Sequence, residues 1–173
     1  MADSGAGAPG RFYGKYRGIV TDNQDPMMLC RIRARVPDVL GDDESGWAMP
    51  CAPFGGSQTG FFSIPTQDAG VWIEFEHGDP DYPIWTGCWW GSAEDVPTVL
   101  LAPPYRKVLI QTEDGNQLIL DDTPGLGGIT LQTSGGQKIT LSSTGIEIDN
   151  GTGATMKLTG PQVSINDGAM DVV

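Results

Sequence analysis

The stretch QLILDDTPGLGGITLQTSGGQKITLSSTGIEI, residues 117–148, decides how the chain folds. Apolar residues come in pairs two apart, Leu118/Leu120, Ile129/Leu131, Ile139/Leu141 and Ile146/Ile148, with Gly, Thr, Ser and Asp filling the intervals. Residues i and i+2 of a strand point to one face, so each pair predicts a short strand with one apolar side. The pattern continues through Met156/Leu158, Val163/Ile165 and Met170/Val172, with successive starts 11, 10, 7, 10, 7 and 7 residues apart. The repeating unit is one strand plus one tight turn, and Gly127-Gly128 and Gly135-Gly136 read as turns. A strand with two inward side chains cannot bury them alone. The repeat must stack on itself or on copies from other chains. A single-chain β-solenoid of about 66 residues holds only two or three coils. Three intertwined chains, each forming one face of a triangular prism, pair every strand edge. The pattern alone leaves both arrangements open.

Upstream, Pro97, Pro103 and Pro104 mark residues 96–106 as a linker, expected to run extended and fairly stiff. Before it, residues 11–95 read as five or six strands in a small closed barrel, which removes exposed edges. Tyr16–Thr21 is one strand. Leu29–Val36 alternates strictly, with Leu29, Arg31, Arg33 and Arg35 on one face and Cys30, Ile32, Ala34 and Val36 on the other. Trp47–Cys51, Gly60–Ile64, Val71–Glu76 and Ile84–Trp90 follow. Residues 1–10 are small and read as a flexible arm. No stretch sustains a helical period, so the expected class is all-β.

The net charge is −12, with only 10 Lys and Arg. A chain tracking a phosphate backbone needs clustered cations, so nucleic acid is a poor partner, as is an anionic membrane surface. Cys30, Cys51 and Cys88 lack metal-ligand spacing and read as reduced core thiols. The first ten residues show no signal-peptide pattern, and no run reaches the roughly 18 apolar residues of a membrane span.

At Gly60–Trp90 the chain carries a specific pattern: Gly60-Phe61-Phe62-Ser63-Ile64-Pro65, Asp68-Ala69-Gly70-Val71-Trp72-Ile73-Glu74-Phe75-Glu76, Gly78-Asp79-Pro80-Asp81 and Pro83-Ile84-Trp85-Thr86-Gly87. With Tyr16-Arg17-Gly18-Ile19-Val20 and Arg31-Ile32-Arg33-Ala34-Arg35-Val36-Pro37, it resembles the OB-fold domain of the phage baseplate assembly protein V and tail spike family. That family includes the spikes of type VI and extracellular contractile injection systems. The repeat is similar to the triple-stranded β-helix those spikes carry. The resemblance implies an N-terminal OB-fold barrel followed by an intertwined trimeric β-helix over residues 107–173. The function it implies is that of a homotrimeric spike on the tail axis. The barrel would attach to a separate baseplate hub protein, and the prism would contact the target membrane transiently as it punctures the envelope on contraction. Leu118, Leu120, Ile129, Leu131, Ile139, Leu141, Ile146, Ile148, Met156, Leu158, Val163 and Ile165 would form the prism interior. The His-x-His motif of metal-bearing tips is absent. Ala169, Met170, Asp171, Val172 and Val173 would instead dock a PAAR-type tip protein. The implied setting is a virion tail baseplate or an extracellular injection particle, assembled in the bacterial cytoplasm.

Catalytic constellations fail on composition. His77 is the sole imidazole and lies where a strand enters a turn. One His with three scattered Cys does not make a zinc site. Asp79/Asp81 and Asp121/Asp122 sit in turn contexts, and neither Gly pair is followed by the Lys-Ser/Thr of a phosphate loop. No enzyme activity, cofactor or metal is expected. Trp72, Trp85, Trp89 and Trp90 read as core or interface packing rather than a base-stacking platform. The rival reading, a β-solenoid polysaccharide-binding tail module or adhesin, needs exposed aromatic residues along the repeat. From Lys107 on there is no Trp, Tyr or Phe.

Overall fold

The computed structural model describes residues 10–172. Apart from Gly10, the expected arm lies outside the described residues, as does Val173. Contacts divide the chain into one unit ending at Asp95 and another beginning at Val96.

In the first unit, β1 (Tyr16–Asp22), β2 (Arg33–Arg35), β3 (Met49–Pro50), β6 (Gly70–Phe75) and β7 (Pro83–Trp89) form one sheet in the order β2-β1-β6-β7-β3. Neighbours are antiparallel except β3, which runs parallel to β7. Next to the two edge strands, Ile32 and Ala48 exchange backbone hydrogen bonds of 3.2 and 2.8 Å. With a second bridge between Arg35 and Glu44, this draws the sheet into a barrel. Strands β4 (Phe54–Gly56) and β5 (Thr59–Phe61) form a separate hairpin. Helix is confined to single turns at Pro37–Leu40, Glu76–Gly78 and Thr98–Leu100.

Alternation builds the core. Val71, Ile73 and Phe75 of β6 point inward and meet Val20 of β1, the Ile32, Ala34 and Val36 series, Ala48 and Trp85. Gly18 lets β6 approach closely, since a Cβ there would stand 3.0 Å from the Ile73 side chain. Buried Ser45 is satisfied: its Oγ accepts from the Ala34 N–H at 3.1 Å and donates to the Gly46 carbonyl at 2.7 Å.

The strand expected over Leu29–Val36 is regular only from Arg33, with Ile32 in the bridge. Its first residues curl around the Asp25 carboxylate instead. That group accepts from the backbone N–H of Met27 (3.0 Å), Leu29 (2.8 Å) and Arg31 (3.3 Å), and pairs with the Arg31 guanidinium at 2.6 Å. Met28 and Cys30 take left-handed φ of 54° and 60° to present those amides. The cysteines also depart from expectation. They are free thiols, but Cys51 and Cys88 are exposed and Cys30 is half-buried, so none belongs to the buried core.

The second unit opens with the helical turn at Thr98–Leu100, so the linker is not extended throughout: its prolines flank a turn that packs against the next strand. Eight strands follow: β8 (Lys107–Gln111), β9 (Gln117–Asp121), β10 (Gly128–Gln132), β11 (Lys138–Ser142), β12 (Gly145–Asp149), β13 (Thr155–Thr159), β14 (Gln162–Ile165) and β15 (Met170–Val172). Each pairs antiparallel with its sequence neighbours in a single sheet. A solenoid stacks each strand on one a coil away. This meander does not, so the single-chain solenoid is not the fold the chain adopts.

Two outcomes test this account. Ile73→Ala should lower barrel stability by about 2–5 kcal/mol through lost transfer energy and a residual cavity. Urea unfolding followed by Trp fluorescence reads this directly, because all five Trp lie between Trp47 and Trp90. Asp25→Asn should lower the melting temperature at neutral pH. The Arg31 guanidinium, and then the backbone amides, hold the Asp25 carboxyl well below the usual carboxylate range. Its stabilisation is therefore complete above the ordinary pKa of about 3.9 and is lost as pH falls through the depressed folded value. The melting gap between wild type and variant should stay constant from about pH 8 to 5 and close only in strong acid.

Candidate functional site

Cross-strand register turns the apolar pairs into two continuous rows. One runs Val108, Leu120, Ile129, Leu141, Ile146, Leu158, Val163; the other runs Ile110, Leu118, Leu131, Ile139, Ile148, Met156, Ile165 and on to Met170. Side chains directly opposite across antiparallel strands stand about 4.5–5.5 Å apart at Cβ, so each row is a ladder of touching pairs. All twelve residues read from the sequence as an apolar interior fall on these rows. The sequence reading missed Val108 and Ile110, which extend the rows onto β8. The unbroken run Val108-Leu109-Ile110 hides its alternation, because Leu109 and Ile119 make the opposite face apolar at this end too.

No other described element of this unit covers the rows. Among the described residues, none from Val96 onward is buried. The residues in the rows range from Leu158 at 36% exposed to Val108 at 61%, apart from the half-buried Leu118, Val163 and Ile165. Leaving a Leu or Ile about 40% exposed forgoes on the order of 1 kcal/mol of transfer energy, so the face as a whole forgoes about 10 kcal/mol or more. Along its Ile110 edge the face hollows into a concavity of about 590 Å³ floored by Leu118, Leu131, Ile139 and Ile148.

From β10 onward the opposite face is polar. Thr130, Thr140, Glu147, Lys157 and Ser164 stand in one register row. Lys157 Nζ lies 2.6 Å from Asp167 and 3.6 Å from Glu147, and these carboxylates, Asp167 first, hold its pKa above the ordinary lysine value. Thr123, and then Lys107, lower that of Asp121. The charges of the sheet are thus kept on this side.

Three five-residue loops stack along one edge: Thr112 to Asn116, Thr133 to Gln137 and Asn150 to Ala154. In each, the first N–H donates to the carbonyl of the last residue, at 3.0, 2.9 and 3.0 Å, and the fourth residue is a glycine of positive φ, Gly115, Gly136 or Gly153. Asn116 Oδ1 accepts from the Ser134 N–H at 3.1 Å and ties the first loop to the second. Strands β10, β12 and β14 begin at residues 128, 145 and 162, so the later hairpins recur every 17 residues. Short connectors at residues 143–144 and 160–161 join them, where residues 122–127 make a longer one.

Of the expected tip residues, Met170 is exposed and β15 pairs only with β14, so this strand is a sheet edge. Val173 lies outside the described residues. His77 sits exposed in the turn after β6 with φ of 53°. Asp79 pairs with Arg11 at 3.0 Å, and Asp121 with Lys107 at 3.5 Å. Among the described residues, no three His, Cys, Asp or Glu come together to hold a metal, and no helix is long and apolar enough to cross a membrane. Trp85 is buried. Trp72 and Trp89 stand on the outer barrel face with the Arg17 guanidinium 5.7 and 5.0 Å from their ring centres.

Residues 16–90 match the family described as the type VI secretion system/phage-baseplate injector OB domain, and residues 107–171 match the phage baseplate V C-terminal trimerisation domain. Among curated relatives, the chain is 35% identical over 97 residues to the actin cross-linking toxin VgrG1 of Vibrio cholerae serotype O1, covering 53% of this chain and 9% of the relative. It is 34% identical over 91 residues to the type VI secretion system spike protein VgrG4b of Pseudomonas aeruginosa, covering 49% and 11%. To VgrG5 of the same organism, also a type VI secretion system spike protein, it is 33% identical over 126 residues, covering 68% and 15%. The matches therefore span only about a tenth of the length of these relatives.

The loop stack makes one prediction. An alanine at Gly151, where φ is 72°, would put its Cβ 2.9 Å from the Gly136 carbonyl carbon. Gly151→Ala should lower the melting temperature of the repeat unit by a few degrees, followed by circular dichroism, while Trp fluorescence reports an unchanged barrel.

Proposed function

Because this chain belongs to the phage baseplate V family of type VI secretion and phage-baseplate injector proteins, we propose that it is the central spike of such a machine, built as a homotrimer. One observation carries the reading: an eight-stranded sheet with two full apolar rows buries none of its described residues. Three copies lying face to face around an axis would cover all six rows. The polar rows would then face water, and the prism interior would be the twelve residues from Leu118 to Ile165 together with Val108 and Ile110. We divide the chain accordingly, with an arm at residues 1–10, the OB-fold barrel at 11–95, a linker at 96–106 and the prism at 107–173.

The role is mechanical rather than enzymatic. A prism whose apolar interior is shared by three chains must expose that interior before any chain can leave, which makes its unfolding slow. Such a rigid body suits a needle driven through an envelope, with transient membrane contact. The barrel end would seat on the baseplate hub. At the other end, Ala169 to Val173 would receive a PAAR-type tip protein, supported by the exposed edge strand β15 and Met170. Assembly in the bacterial cytoplasm onto a baseplate or injection particle fits this reading.

Light scattering tests it with two neighbouring substitutions. Full-length protein should have a mass near three times 18.4 kDa. Ile139→Asp, on an apolar row, should abolish association, because a desolvated carboxylate costs several kcal/mol. Thr140→Asp, one residue along on the polar row, should leave the trimer intact. A monomeric wild type, or equal effects of the two substitutions, would overturn the proposal.

A further inference from the structure

The hairpin of β4 and β5 is ordered without visible support. Phe54 pairs with Phe61, Gly55 with Gly60 and Gly56 with Thr59, around a turn in which Gln58 takes φ of 56°. All six strand residues are exposed, with Phe54 at 60% and Phe61 at 55%. Among the described residues, contacts anchor its base: the Phe62 ring lies 5.5 Å from that of Trp85, and Asn23 Nδ2 donates to the Pro65 carbonyl at 3.0 Å. A lone two-stranded hairpin is marginal in water, and three glycines in six strand positions weaken it further. A Phe pair held out on such a scaffold calls for a cover.

Charge and area together identify the cover. From Ser45 to Gln67 there is no charged residue, the longest such stretch in a chain of net charge −12. Identical acidic chains repel wherever their charged surfaces approach, so a self-contact forms at least cost on a neutral patch. The exposed parts of two phenylalanines and their neighbours supply roughly 200–300 Å², far below the ~1,000 Å² that a free partner needs for specific binding. A copy already tethered nearby needs much less, since tethering raises its effective concentration to the millimolar range.

We infer that the β4–β5 hairpin is a second contact between copies of this chain, closing over its neighbour once the repeat units have associated. The inference rests on the trimer proposed above. Hydrogen exchange read by mass spectrometry on the full-length chain tests it. In wild type, the peptide over residues 52–64 should exchange about tenfold or more slowly than in Ile139→Asp, while the peptide over Gly70–Phe75 stays equally protected in both. Phe61→Ser should lose the hairpin protection and keep the trimeric mass. If wild type is trimeric but residues 52–64 exchange equally fast in wild type, Ile139→Asp and Phe61→Ser, the hairpin contact is overturned and the trimer stands. If wild type is monomeric by light scattering, the trimer falls and the hairpin contact with it.

Discussion

An apolar row needs something apolar opposite it, and among the described residues of the second unit nothing supplies it. The six inner strands of the meander pair on both sides, so their backbone is satisfied where burial has not begun. These two requirements usually meet in one domain, where a second layer packs on the first. Here they are separated: pairing is internal, and in the proposed trimer the second layer would come from other copies. The stability of the repeat unit would then depend on protomer concentration, as for any fold whose core forms only on association. The barrel is independent of this, with nine apolar side chains of its own in a closed core.

Charge is arranged so as not to oppose that association. Each copy carries −12, yet no ionisable side chain stands on either apolar row. The repeat's acids lie on the other face or in loops, and Lys107 and Lys157 sit beside Asp121, Glu147 and Asp167. Repulsion between the remaining surface charges is screened beyond about 8 Å at physiological ionic strength. In the proposed trimer, contact at short range would be apolar, and what opposes it would act at long range and weaken with salt.

Much of this was legible in the sequence because a period of two is hard to disguise. Ile32, Ala34 and Val36 alternate and are buried, as are Val71, Ile73 and Phe75. The pairs from Leu118/Leu120 onward mark strands in the correct register. What escaped detection depends on partners that pattern does not name. Leu29 to Arg31 alternate as well as their neighbours do, but the Asp25 carboxylate takes their amides first. The parallel pairing of β3 with β7, and the bridge from Ile32 to Ala48, join distant segments with no local signature. The five-residue loops could have been found, since Gly115, Gly136 and Gly153 each hold the fourth position. The double-glycine pairs drew attention away from that phase.

The recurrence of hairpins every 17 residues carries a geometric consequence. Strands in a sheet lie about 4.8 Å apart, so one hairpin adds close to 10 Å in the direction across the strands. Because the hairpins β10–β11 and β12–β13 repeat the same two rows and the same edge loop, one such unit can be gained or lost without changing what its neighbours touch. Length in this design therefore comes in fixed increments, and duplication or deletion of a single segment can retune reach while leaving thickness unchanged.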